Sequence, residues 1–215
     1  VWFGLTVGST IPWLWMMSID AHWYSTMYSW YTFASSFVSG MSLVALWLIY
    51  LKNKGYMAYA TQEHLHDVGK FMFAFSVFWT YLWFSQYMLI WYANISEETV
   101  YFKHRVDGPY KGVFFLNIII NFLCPLLILM KRAVKRNYTL VTFMAVLIIF
   151  GHWIDFFQMV MGSISPDHVS LSWLDFGIAA FFVGMILFFV SKALAKKPLV
   201  PRYHPFFKES LIHHT

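Results

Sequence analysis

The sequence predicts an all-α integral membrane protein, with six transmembrane helices in an antiparallel bundle. Three observations carry that prediction. The chain of 215 residues is 60% hydrophobic and only 12% charged, whereas a soluble domain carries about a quarter charged residues. Apolar runs of about twenty residues, the length that crosses a hydrocarbon core, recur along it. Lys and Arg collect in alternate loops between those runs, as the positive-inside rule requires. The net charge of +5 therefore comes from membrane topology, and soluble enzymes and nucleic-acid binders are excluded.

The six spans are 1–19, 26–51, 69–93, 112–131, 138–161 and 172–194. The first is interrupted by Gly8, Ser9, Thr10 and Pro12, and it opens at Val1 with neither Met nor a charged signal region. That start reads as a piece of a longer polypeptide. In the second span, Ser36 and Gly40 lie four apart and predict a close helix contact. Pro125 predicts a kink in the fourth. Short connections make consecutive helices antiparallel neighbours in one bundle, residues 1–197. Pro198, Pro201 and Pro205 predict an extended tail over 198–215, lying on a partner or on the cytoplasmic face of the bundle.

Lys52, Lys54, Lys70, Lys131, Arg132, Lys135, Arg136, Lys192, Lys196, Lys197, Arg202 and Lys208 fall on one side, against Lys103, Arg105 and Lys111 on the other. Twelve against three predicts a multi-pass membrane protein with its carboxy-terminus and the loops after the second and fourth spans in the cytoplasm.

His152 and Asp155 lie inside the fifth run. An ionisable pair at membrane depth is costly and marks a functional site by default, and a spacing of three puts both on one helix face. At about 1.5 Å of rise per residue, Asp155 is about 9 Å below the outer end of its span. Asp175, a few residues into the antiparallel sixth span, reaches similar depth, as does Asn117 in the fourth. Asn121 follows Asn117 one turn deeper. This layer can hold or pass a proton. The competing reading is a hydrogen-bond network that only ties helices together, and for the two amides that reading leads.

A second cluster, Glu63, His64, His66, Asp67 and Lys70, stands at the cytoplasmic start of the third span. Either it forms the mouth of a proton path, or Asp67 only suits a helix N-terminus. Ser76, Thr80 and Tyr87 offer a polar relay along the third span, or hydroxyls that merely bond carbonyls one turn back.

Only His152 is deep enough to ligate a membrane haem, and the lone Cys124 builds neither an intrachain disulfide nor an iron–sulfur site. The sequence thus predicts no cofactor and no metal held by this chain, with any redox centre in its partners.

Several stretches, IDAHWYSTMYSWYTFASSFVSG (19–40), HLHDVGKFMFAFSVFWTYLWFSQYMLIWYANISEETVYF (64–102), DFFQMVMG (155–162), SWLDFG (172–177) and HPFFKESLIHH (204–214), resemble the F subunit of alternative complex III, a bacterial quinol:cytochrome c oxidoreductase. The resemblance implies a membrane subunit of polysulfide-reductase type with ten helices, of which this chain is the last six. It also implies partners: a sister membrane subunit where quinone binds, subunits carrying haem c and iron–sulfur clusters, and a terminal oxidase. By position, His64 and Asp67 match a cytoplasmic proton half-path, and His152, Asp155 and Asp175 a periplasmic one. A purely structural anchor and a quinone-binding subunit are the alternatives.

Overall fold

A computed structural model describes residues 6–196, 198–200 and 204–212, so the start of the first expected span and parts of the tail lie outside the described residues. Those described are helical, with no strand among them. The helices are α1 Met27–Asn53, α2 Gln62–Ala93, α3 Ser96–Val106, α4 Lys111–Ile118, α5 Cys124–Leu129, α6 Arg132–Lys135, α7 Tyr138–Ile164, α8 Trp173–Lys196 and α9 Phe207–Leu211. Four stretches among them, Met27–Asn53, Lys111–Leu129, Tyr138–Ile164 and Trp173–Lys196, are long and apolar enough to cross a membrane. By length and composition this is a membrane protein. Helix α2 falls short of that apolarity, because Glu63, His64, His66, Asp67 and Lys70 crowd its start and Trp, Tyr and Gln dilute the rest. Thr6–Thr10 and Pro12–Met16 form wide π turns and Met17–Ile19 a tight 3-10 turn, not a continuous α-helix, in line with the Gly, Ser and Pro residues there.

Local chemistry sets the ends. Helix α2 starts seven residues before the expected span because Thr61 and His64 form a capping box, which satisfies amides that a helix start leaves unpaired. Asp67 therefore lies in the second turn, not at the helix terminus. Asn94 ends α2 at φ 49°, a left-handed position that Asn tolerates. The Asn137 side chain accepts from the N–H groups of Thr139 and Leu140 at 3.0 and 3.2 Å and opens α7.

Between α4 and α5 the expected kink takes the form of a π turn, Ile119–Leu123. Pro125 follows it; lacking an N–H, it cannot bond the Asn121 carbonyl, and its ring would crowd that group in a regular helix. The tail is not extended throughout, since Phe207–Leu211 is a short helix.

Helices α1, α2 and α7 make the centre of the bundle, with the Lys111–Leu129 stretch against α2 and α7. Lipid tails are as apolar as side chains, so close packing and polar bonds hold such helices together. The α1 seam buries Ala34, Ser35, Val38, Ser42 and Ala45. Gly40 is exposed, with nothing within 4 Å of a Cβ built there, so the expected Ser36/Gly40 contact lies one face away from the seam used. The core divides in two. An aromatic cluster holds Trp23, Tyr28, Tyr31, Trp79, Tyr101 and Phe114; an aliphatic one toward the basic end holds Val38, Ile49, Leu65, Met72, Met144 and Ile148. Helix α8 buries none of its residues and meets α7 through Phe176 and Trp153, ring centroids 5.4 Å apart.

Candidate functional site

Asp155 is the hub of a buried polar group where α1, α2 and α7 meet. It is 2% exposed. The Tyr31 hydroxyl donates to Oδ1; Ser35 Oγ and Trp79 Nε1 donate to Oδ2 at 3.1 and 3.2 Å. Three donors on two oxygens match an ionised carboxylate, which only accepts. Ser35 stands apart from its neighbours here. Thr32, Ser39 and Ser42 spend their hydroxyls on carbonyls of their own helix, at 2.8 to 3.1 Å, whereas Ser35 bonds across to α7.

His152, 1% exposed, sits one turn deeper. Its Nδ1 is 3.9 Å from Oδ2 of Asp155, close enough to sense the charge but too far for a hydrogen bond. Trp79 covers it edge-on at 5.4 Å. Neither ring nitrogen has a partner among the described residues, and the same holds for Ser76 Oγ, Asn117 Oδ1 and both side-chain polar atoms of Asn121. Buried polar groups without partners are rare and call for a water, an ion or a catalytic role. The layer expected from sequence thus contains His152, Asp155 and Asn117, whose Nδ2 donates to Gln158 Oε1 at 2.6 Å. Asn121 lies in the π turn against Gly151, where an added Cβ would come within 2.2 Å of its Oδ1.

Asp175 belongs to a different arrangement. Its Oδ2 accepts the Ser172 N–H at 2.8 Å while Ser172 Oγ accepts from Leu174 N at 3.4 Å. The acid caps the start of α8, the use that carboxylates find at helix N-termini, and it is not among the groups that meet Asp155.

At the basic end the expected cytoplasmic cluster is a set of clamps. His64 Nδ1 accepts from the Thr61 N–H at 3.1 Å, so its Nε2 carries the proton and donates to Ser210 Oγ at 2.9 Å. Tyr59 donates to the Leu199 carbonyl at 3.0 Å and meets the Phe207 ring at 6.0 Å, which seats the tail on this end. Glu63 pairs with Arg136 at 2.6 Å and Asp67 with Lys70 at 2.6 Å; the second pair, half in solvent, is worth little. Lys135 is buried on the carbonyls of Leu129 and Met130 at 2.7 and 3.2 Å. Burial, and then the cations Lys135, Lys70, Arg136 and Arg132, hold the His66 imidazole below its ordinary pKa.

The relay residues separate as well. Thr80 Oγ1 bonds the Ser76 carbonyl at 2.9 Å, the local use, and Tyr87 packs on Trp83, Phe102 and Phe114. Ser76 alone of the three is buried with a hydroxyl lacking a partner among the described residues. From Asp67 to Trp79 is twelve residues along α2, about 18 Å of helix rise, so the two clusters are separate sites.

Sequence reasoning missed Tyr31, Ser35 and Trp79, the partners of Asp155, and above all Arg105. Residues 94–111, which connect the third and fourth expected spans, contain α3, with Glu97 and Glu98 at its start and Lys103, His104 and Arg105 at its end, the order its dipole favours. Helix α3 carries Arg105, 3% exposed, into the end of the bundle. Its Nη1 donates to the Tyr101 carbonyl at 2.8 Å, and its Nη2 to the Met159 carbonyl at 3.2 Å and Ser163 Oγ at 3.0 Å. The guanidinium lies 3.4 Å from the Tyr101 ring centre, a ring that Trp23 also stacks on at 3.8 Å. Burial raises the Tyr101 phenol above its ordinary pKa, with Arg105 opposing. A cavity of about 20 Å³ is lined by Arg105, Asp155, Tyr31, Gln86, Gln158 and neighbouring aromatic rings.

Among the described residues no group of three or more His, Cys, Asp or Glu converges as a metal site. No protein-family model and no curated protein matches the chain.

Proposed function

We propose that this chain is a non-redox membrane subunit of a quinol:cytochrome c oxidoreductase of alternative complex III type, and that it contributes to proton translocation. The single observation that carries the proton role is the buried carboxylate of Asp155, held by Tyr31, Ser35 and Trp79 beside an imidazole without hydrogen-bond partners among the described residues. Ionisable groups at this depth are expensive and mark ion or proton routes. His152 and Asp155 form the periplasmic half of the path, with Ser76 and Asn121 continuing it inward. The basic end, with the tail, faces the cytoplasm of a bacterial inner membrane, in keeping with the distribution of Lys and Arg. In this reading α2 and the segment before residue 20 complete six spans, the last six of a ten-helix subunit.

Haem c and iron–sulfur centres belong to partner subunits, and quinone binds in the sister membrane subunit. Isolation of the chain from its native membrane under mild detergent tests this assignment. The expected result is co-purification with haem c and iron–sulfur subunits and quinol-dependent reduction of cytochrome c. A chain that isolates free of redox partners overturns it.

One observation favours a second reading. The donors to Asp155 come from α1 and α2 while the acid is on α7, so the group also ties three helices together, as a purely structural anchor would. The two readings differ in what neutralising Asp155 does to proton movement in a complex that still assembles.

A further inference from the structure

Asp155 and Arg105 are opposite charges, both almost fully buried, and they line one cavity without forming an ion pair among the described residues. Of the described side chains around that cavity, Tyr31, Gln86, Tyr101 and Gln158 are polar, and only Arg105 and Asp155 are charged. An isolated buried charge is very unfavourable, so each needs compensation nearby. Carbonyls and Ser163 occupy Nη1 and Nη2 of Arg105, while Nε has no partner among the described residues. A cavity of about 20 Å³ suits one water, which needs about 10–15 Å³ and two to four polar partners.

We propose that Arg105 is the buried counter-charge of Asp155, and that the cavity they both line is a site for a single water that bridges the guanidinium to the carboxylate. Gly162 helps to build the site, since a Cβ there would lie 3.0 Å from Nη2 and push the guanidinium away. The arrangement places a water beside Asp155 on the side of α3, where a proton leaving the acid would next arrive; that role rests on the proton reading above, whereas the charge pairing and the water do not.

A double-mutant cycle on the assembled, detergent-extracted complex tests the pairing. Asp155→Asn leaves Arg105 uncompensated and Arg105→Gln leaves Asp155 uncompensated, so each lowers the melting temperature or the assembled yield. Asp155→Asn/Arg105→Gln removes both charges and is expected to recover at least half of the loss summed from the two single variants, even if one single variant fails to assemble. A map of the wild-type complex that resolves waters should show one within hydrogen-bond distance of Arg105 Nε and a carboxylate oxygen of Asp155. Additive losses in the cycle, or a dry cavity in that map, overturn the inference. Proton stoichiometry enters neither readout, so failure here and failure of the proton reading are distinguishable.

Discussion

Trp79 Nε1 donates to Oδ2 of Asp155 at 3.2 Å, and the same indole stands edge-on to His152 with ring centroids 5.4 Å apart. One side chain thus fixes both members of the buried pair. Trp79→Phe keeps an aromatic ring and removes the donor. A hydrogen bond to a charged group is worth about 1.5–3 kcal/mol, and the smaller ring adds a packing loss. The expected outcome is a clearly lower melting temperature of the extracted protein by differential scanning fluorimetry. A wild-type value would show that Asp155 does not depend on the indole.

Two glycines should respond in opposite directions. At Gly151 an added Cβ meets Asn121 Oδ1 at 2.2 Å and Ile120 Cγ2 at 2.4 Å. Overpacking of this kind costs about 1–3 kcal/mol, more than the 0.5–1 kcal/mol, roughly, that Gly→Ala returns inside a helix. Gly151→Ala should destabilise and Gly40→Ala should not, because nothing lies within 4 Å of the latter. Melting temperatures of the two variants check the ordering.

His66 predicts a specific acid sensitivity. Its folded-state pKa lies below the ordinary His value, so between about pH 6.5 and that lower pKa the unfolded chain binds a proton that the folded one does not. Unfolding then gains from falling pH, and stability declines below about pH 6.5 and is unaffected above it. In His66→Gln the drop in melting temperature between pH 7 and pH 5 should shrink. An unchanged drop would place the acid sensitivity elsewhere.

Asp175 and Asp155 should separate in function. Because Asp175 caps Ser172, Asp175→Asn is expected to keep the wild-type ratio of protons moved per electron, with at most a small loss of stability. A fall in that ratio would return Asp175 to the proton path.

The positions of four apolar helices were legible because length and apolarity are local properties, and α7 begins at the residue expected, Tyr138. The shared depth of Asn117 and Asp155 followed from helix rise alone, and Asn117 bonds Gln158 one turn from the acid. The start of α2 was readable in principle, since Thr61 and His64 make its capping box, but the polar character of 62–68 hid it. Ser172 and Asp175 carried the same kind of signal. Tyr31 and Ser35, four apart on one face of α1, went unread because nothing in their own stretch of sequence points to an acid more than a hundred residues away. Arg105 was not legible: in sequence it is one loop charge among three, and only the fold of α3 against Gly162 and Tyr101 buries it. The small-residue pair was misplaced because Ser36 and Gly40 lie beside a richer seam through Ala34, Ser35, Val38 and Ala45, which gives the closer approach.

Whether Asp155 carries protons is decided by the proton-to-electron ratio of the Asp155→Asn complex in sealed liposomes turning over with quinol. Assembled Asp155→Asn complex is expected still to transfer electrons while the ratio falls below the wild-type value. A wild-type ratio in assembled Asp155→Asn complex would contradict it and leave Asp155 as a structural tie between α1, α2 and α7.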